Sequence, residues 1–157
     1  MEDSIVSPTA SEEDVALLAV SKLGFSGFKS VAQKQLISQV LEGKDSVAGV
    51  LPTGSGKTLA IFVALTEQEE NATIVIYPLH SVYDDAVKRL KELSKDKPAY
   101  RNQWRCWESN VPLRELIRET RLILVNAEMA LDKSFINQTR SCNVYIKRIV
   151  FDEAPLF

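Results

Sequence analysis

The chain has 157 residues, 45% hydrophobic and 25% charged, the composition of one globular domain with a single core. A net charge of −2 and a pI near 5.5 exclude a broad positive field for nucleic acid, so any such contact must be local. Two cysteines and one histidine cannot build a zinc cluster, and neither a signal peptide nor an apolar run of the ~20 residues a membrane helix needs is present.

On these grounds the chain is expected to be soluble and intracellular, with reduced thiols at Cys106 and Cys142. Residues 1–10 read as a flexible tail, and 11–157 as one domain. Ser11 and Asp14 resemble a helix-start box, and "VALLAVSKL" carries that helix to a stop at Gly24. After the turn "GFSGFKS", "VAQKQLISQVLEG" is a second helix ending at Gly43.

The pattern then changes. "SVAGVL" (46–51), "TIVIY" (73–77), "RLILVN" (121–126) and "RIVFD" (148–152) are short Val/Ile-rich runs of the kind that suits strands buried on both faces. Between them, "KTLAIFVALTEQE", "SVYDDAVKRLKELS" and "PLRELIRET" are helical, the second with Val82, Ala86, Leu90 and Leu93 at helical spacing. Alternating strands and helices predict βαβ units, hence an open parallel α/β sheet with helices on both faces.

"LPTGSGKT" (51–58) leaves one of these strands and opens a helix, which is the setting a phosphate loop requires. Gly54 and Gly56 can take backbone angles closed to other residues, so that amide N–H groups from Thr53 to Thr58, Ser55 included, converge on phosphate oxygens. Lys57 is the candidate for the β- and γ-phosphates, and the Thr58 hydroxyl the candidate ligand for Mg²⁺. "IVFDE" ends another buried strand with two carboxylates. Asp152 is the second Mg²⁺ candidate, and Glu153 the group that orients and deprotonates an attacking water. Leu51 stands where the usual loop pattern has its first glycine.

"PTGSGKT" and "FDEA" resemble motifs I and II of superfamily 2 helicases of the DEAD/DEAH-box type, in which Leu before Pro-Thr-Gly is ordinary. The resemblance implies a RecA-like P-loop NTPase lobe that takes ATP and Mg²⁺, with Lys57 and Glu153 catalytic. It sharpens towards the RecQ-like DNA helicases. "GFSGFKSVAQKQLI" is similar to their adenine-reading motif, with Phe28, Lys29 and Gln33 in matching places. "IYPLHSVYDDAV" resembles their motif Ia, which implies nucleic-acid contacts from Pro78, Leu79, Ser81 and Asp85; Ala86 stands where the family has Gln. "LILVNAEMAL" resembles the motif with Pro-Glu after the third strand, with Ala127 for the proline and Glu128 kept. By this resemblance the partners are ATP and DNA, single-stranded or junction DNA, in the nucleus if the cell is eukaryotic.

Two readings of Gln33 stand side by side. Its carboxamide matches the N6 donor and N7 acceptor of adenine. Ser30-Val-Ala-Gln33 equally fits a helix capping box. For "QWRCWE" the expectation is a short strand with both tryptophans packed on one face, rather than a base-stacking surface. His80 reads as a solvated loop residue, and the six positive charges of "KRLKELSKDKPAYR" as a solvated helix face.

Two departures qualify the resemblance. RecQ-like proteins read Asp-Glu-Ala-His at motif II, whereas this chain reads Asp152-Glu153-Ala154-Pro155. Motif III, the second lobe and its arginine finger do not occur within the 157 residues, so the fold is expected to be incomplete at the C-terminus and the chain alone near-inactive. A second lobe in trans, or self-association through the truncated sheet edge, is the expected consequence. The alternative is a non-catalytic, helicase-derived interaction module. A GTPase is disfavoured because no Asn-Lys-x-Asp motif occurs.

Overall fold

The computed structural model of the protein describes residues 10–43, 56–68 and 71–152, with side chains in the first helix from Val15 onward. These residues fall into two compact units that divide between Thr66 and Glu67. The tail (residues 1–9) and the expected strand at 46–51 lie outside the described residues, while Ala10 already belongs to a helix.

In the first unit α1 (Ala10–Lys22) buries Ala16, Ala19 and Val20, followed by Leu23. Gly24, at φ 95°, turns the chain out of it. The helix α2 (Val31–Glu42) starts at Ser30 and stops at Gly43, whose left-handed φ of 73° closes the last turn with an N–H to the Val40 carbonyl. The helix α3 (Lys57–Phe62) is shorter than its sequence suggests, because it tightens into a 3₁₀ turn over Val63–Thr66. There the Thr66 hydroxyl donates to the Val63 carbonyl at 2.7 Å, a local bond that competes with continued α-helix. Leu59 to Leu65 are all buried, as befits a segment that is apolar all round.

The second unit is the sheet. Its elements in chain order are β1 (Ala72–Tyr77), α4 (His80–Asp96), β2 (Trp104–Cys106), α5 (Leu113–Glu119), β3 (Leu122–Asn126), α6 (Ala127–Ala130), α7 (Lys133–Ser141) and β4 (Ile146–Phe151). The strands run in the order β2-β3-β1-β4, every pair parallel. Register sets Ile74 beside Ile123 and Ile149, and Ile76 beside Val125 and Phe151. Ile74, Ile123 and Val125 pack under Leu113, Leu116, Ile117 and Phe135 of α5 and α7. The opposite face, that of Tyr77, carries α4, where Tyr77 and Tyr83 meet edge to face with centroids 6.0 Å apart. Helices therefore cover both faces of a parallel α/β sheet, as expected.

The two tryptophans are not on one face. Trp104 donates from Nε1 to Ser94 Oγ of α4 at 2.9 Å, whereas Trp107, fully buried, packs edge-on to Phe135 of α7. They are three residues apart, and an odd spacing along extended chain sends side chains to opposite sides. The basic run after Lys88 behaves as expected, with Lys88, Arg89, Lys91, Lys95, Lys97 and Arg101 all exposed. The sequence reading has no counterpart for α6 and α7. Each opens on a short polar cap: Asn126 Oδ1 accepts from the Met129 N–H and Asp132 Oδ1 from the Ser134 N–H.

Candidate functional site

The start of α2 shows the capping half of the Gln33 question. Ser30 is extended (φ −157°), and its Oγ accepts from the Gln33 N–H at 3.1 Å. The Gln33 side chain turns back, so that Oε1 accepts from the Lys29 N–H at 2.6 Å. This is the reciprocal logic of a capping box, reaching one residue further than the cap itself. The side chain does more. Its Nε2 donates to the carbonyl of Gly56, twenty-three residues on, at 3.0 Å. Gln33 is 0% exposed and has a protein partner on each end of its carboxamide.

Gly56 meets two demands that only glycine satisfies together. Its φ of 84° is left-handed, and a Cβ built there would stand 2.0 Å from Gln33 Nε2 and 3.5 Å from Lys29 Cδ. Its carbonyl also accepts from the Leu59 N–H at 3.1 Å, the first bond of α3. Lys57 and Thr58 then occupy the opening positions of α3, both half-buried. Phe28 is half-buried and Lys29 exposed. The first unit thus gathers Lys29, Gln33 and Gly56 at one point. Leu51, Thr53, Gly54 and Ser55, and likewise Glu153 and Pro155, lie outside the described residues.

In the second unit Asp152 follows β4 directly, and its N–H donates to the Ile76 carbonyl at 3.0 Å. Pro78 and Leu79 leave β1 at the same end. Asp152 and the start of the motif Ia segment therefore share the carboxyl end of the parallel sheet, the end at which open α/β sheets bind ligands. Ser81 is exposed in the first turn of α4, whose start at Leu79 has no side-chain cap. Asp85 is held by Arg89 one turn on, at 2.9 Å. Ala86 is buried, a core position rather than a polar contact. His80 is exposed but not simply solvated: its Nε2 lies 3.2 Å from Glu128 Oε1, which ties the segment after β1 to the one after β3.

Beneath this end the Tyr77 hydroxyl is buried with no hydrogen-bond partner among the described residues. Burial, reinforced by the negative charge of Asp152, pushes its phenol far above the ordinary value, so it stays neutral. Burial also raises the half-buried Cys106 thiol, and its bond with Tyr83 offsets part of that effect.

The contact that sequence reasoning missed is Gln33 with Gly56. No local pattern signals a bond across twenty-three residues, and only the shared left-handed glycine hints at a close approach.

The chain is also similar in sequence to known proteins. The family model for the DEAD/DEAH box helicase matches residues 30–157. The chain is 31% identical over 137 residues to the ATP-dependent DNA helicase Q5 of Rattus norvegicus, and 30% identical over the same length to that of Mus musculus. These alignments cover 83% of this chain and 14% of each relative, so the chain spans about one seventh of their length. With Gln33, the Gly56-Lys57-Thr58 helix start and the Asp152 strand end lying inside the matched segment, the chain belongs to the DEAD/DEAH box helicase family.

Proposed function

We propose that this chain is the ATP-binding motor lobe of a RecQ-like DNA helicase, formed by residues 11–157 as one ATP-binding domain behind a short tail. The observation that carries the reading is the Gln33–Gly56 bond. It joins the expected base-reading motif directly to the expected phosphate loop. The residue types are those that Mg²⁺ and a triphosphate take: a hydroxyl at Thr58, a carboxylate at Asp152 and a cation at Lys57.

Lys57 and the amides of Thr53–Thr58 bind the phosphates, Thr58 and Asp152 hold the metal, and Gln33 with Phe28 and Lys29 accepts adenine. Glu153 takes the proton of the attacking water. Mg·ATP, when bound, supplies the phosphoanhydride whose hydrolysis drives movement on DNA. Pro78, Leu79, Ser81 and Asp85 contact the DNA strand, which the resemblance suggests is single-stranded or at a junction. Hydrolysis and unwinding require a second lobe. The protein acts in the nucleus if its cell is eukaryotic.

Isothermal calorimetry of Mg·ATP with the parent chain and with Lys57→Ala tests the site. Binding that disappears in the variant supports it, and equal affinity refutes it.

One observation favours a second reading, a helicase-derived interaction module. On β4, Ile149 and Phe151 are 45% and 63% exposed, and no strand pairs the far side of β4 among the described residues. Apolar strand edges of this kind recruit further chains, whether a second lobe or another copy. Light scattering distinguishes the two: a stable monomer that binds ATP supports the motor lobe, and a concentration-dependent assembly without ATP binding supports the module.

A further inference from the structure

Much of the positive charge of this chain is gathered in one segment. Residues 88–105 hold seven of the 19 Lys and Arg and two of the 21 Asp and Glu, a local charge of +5 in a chain of net −2. Arg89 is held by Asp85 at 2.9 Å. Lys88, Lys91, Lys95, Lys97 and Arg101 are exposed and form no ion pair among the described residues.

Helix geometry sorts these charges. Lys88, Lys91 and Lys95 stand at i, i+3 and i+7, which makes one stripe along α4. Asp85, Arg89, Glu92 and Asp96 repeat at similar spacings and make a second stripe, roughly a quarter of a turn round the helix. The side of α4 that meets β2 is marked by Ser94, which accepts from Trp104 Nε1, and by Tyr83, which bonds Cys106. Lys91 belongs to that side, because its charge acts on the Cys106 thiol. The lysine stripe therefore lies towards the β2 edge of the sheet and the acidic stripe away from it. Asp84, one turn before Lys88, is the acid in line with the lysines. Lys97 and Arg101 flank the turn Pro98–Tyr100 that leads from α4 back to β2.

The chemistry of this face selects its partner. No large hydrophobic side chain is exposed between Leu79 and Leu131. A protein partner takes apolar or aromatic anchors at the centre of its patch, and a single strand stacks its bases on open aromatic rings. Tyr100 and Trp104, the aromatics at this end, are half-buried, and Trp104 is tied to Ser94. Cations without anchors suit a duplex, whose bases are turned inward and whose strands each present a phosphate about every 3.4 Å along the axis. From Lys88 to Lys95 the helix rises about 10.5 Å, the length of about three such steps.

We propose that the Lys88–Lys91–Lys95 stripe of α4, continued by Lys97 and Arg101, binds the phosphate backbone of duplex DNA. The proposal rests on the DNA-binding reading above for the identity of the polyanion and adds a second surface to it. The helix starts directly after Pro78 and Leu79, the expected contacts to the DNA strand, and carries the lysines along its length.

The test is fluorescence anisotropy of the full chain with a short blunt DNA duplex and with a single strand, each over a range of salt. The triple variant Lys88→Gln, Lys91→Gln, Lys95→Gln is expected to weaken duplex binding about tenfold or more at low salt, and to reduce the salt slope by about 0.9 per lysine. Single-strand and Mg·ATP binding stay at the parent values. The control Arg114→Gln, Arg118→Gln, Lys133→Gln removes the same charge from exposed positions on α5 and α7 and is expected to leave duplex affinity within about twofold, since phosphate contacts are local.

Equal losses in the two triple variants would overturn the proposal, because net charge alone would then explain them. Duplex binding indifferent to the three lysines would overturn it as well, and an equal loss of single-strand binding would remove the duplex assignment. Polyglutamate or phosphatidylserine vesicles bound through the same lysines as tightly as the duplex would assign the face to another partner. A parent chain that binds neither duplex nor single strand fails the DNA-binding reading itself, an outcome distinct from duplex binding that ignores the stripe.

Discussion

The carboxylate of Glu67 and the guanidinium of Arg148, eighty-one residues apart in sequence, meet as a two-pronged fork: Nη1 donates to Oε1 and Nη2 to Oε2, the latter at 3.0 Å. Arg148 Nη1 also donates to Thr73 Oγ1 at 2.8 Å, and Lys147 Nζ lies 2.5 Å from Glu67 Oε2. The fork joins the segment before β1 to the first half of β4. Both side chains are largely buried, at 9% and 14% exposed, so removing one partner strands the other. Glu67→Ala is expected to destabilise the chain by about 3 kcal/mol in urea unfolding.

The same carboxyl gives a pH signature. Burial alone would raise its pKa, but the hydrogen bonds and charges of Arg148 and Lys147 outweigh that and hold it below its ordinary value of 4.5. The unfolded state therefore binds the proton more readily than the folded one. The contribution to stability is complete above about pH 4.5 and is lost as pH falls through the lower folded value. Urea midpoints measured from pH 7 to pH 3 should fall more steeply for the parent than for Glu67→Gln. Parallel profiles would show that the fork contributes little.

Trp107 is the largest fully buried side chain among the described residues and rests edge-on to Phe135 at 5.3 Å between ring centroids. Its Nε1 has no hydrogen-bond partner among the described residues, so its value is packing rather than polarity. Trp107→Ala is expected to cost about 4 kcal/mol, and Trp107→Phe less than half as much, because no bond is lost with the indole nitrogen. A Phe variant as unstable as the Ala variant would mean that the N–H is satisfied after all.

Base choice separates the two roles of Gln33. If its carboxamide reads adenine, ATP binds better than GTP and Gln33→Ala erases the preference, a contact worth about 1–3 kcal/mol by analogy with base-edge readout. Thermal stability falls as well, since the bonds to Lys29 and Gly56 are lost together. A fall in stability with the ATP preference intact would leave Gln33 a cap and not a reader.

Asp152 is predicted to act through the metal. Asp152→Asn keeps the size of the side chain and the backbone N–H bond to Ile76, and removes the charge. What should change is the gain in ATP affinity on adding Mg²⁺, which is expected to shrink about tenfold if one carboxylate ligand is lost. An unchanged Mg²⁺ dependence would remove Asp152 from the metal site.

The sheet was legible in the sequence because its strands are continuous apolar runs: 73–77, 121–126 and 148–152 each fall within a residue or two of β1, β3 and β4. Gly24 and Gly43 likewise marked helix ends through a conformation that side chains oppose. What stayed hidden depends on distant pairs. Lys133–Ser141 buries only Phe135 along α7, too thin an apolar stripe to announce a helix, and its Gln138 takes part of its meaning from the distant Leu113 N–H that it receives at 2.7 Å. The candidate site divides the same way. Lys57, Thr58 and Asp152 could be named from local patterns, whereas the tie from Gln33 to Gly56 required both segments in space.

The strand order has a consequence for the chain as it is made. The strand β1 is flanked by β3 and β4, and Val75 pairs with Leu124 and Val150, so its first neighbour is about 50 residues downstream and its second about 75. At roughly 5–20 residues per second of synthesis, Ala72–Tyr77 emerges from the ribosome some seconds before either neighbour exists. An isolated "ATIVIY" is uncharged, apolar and rich in β-branched residues, the composition that seeds aggregates. Nascent chains should therefore be most vulnerable between the synthesis of β1 and that of β4, and β1 is the segment on which a holding chaperone would act.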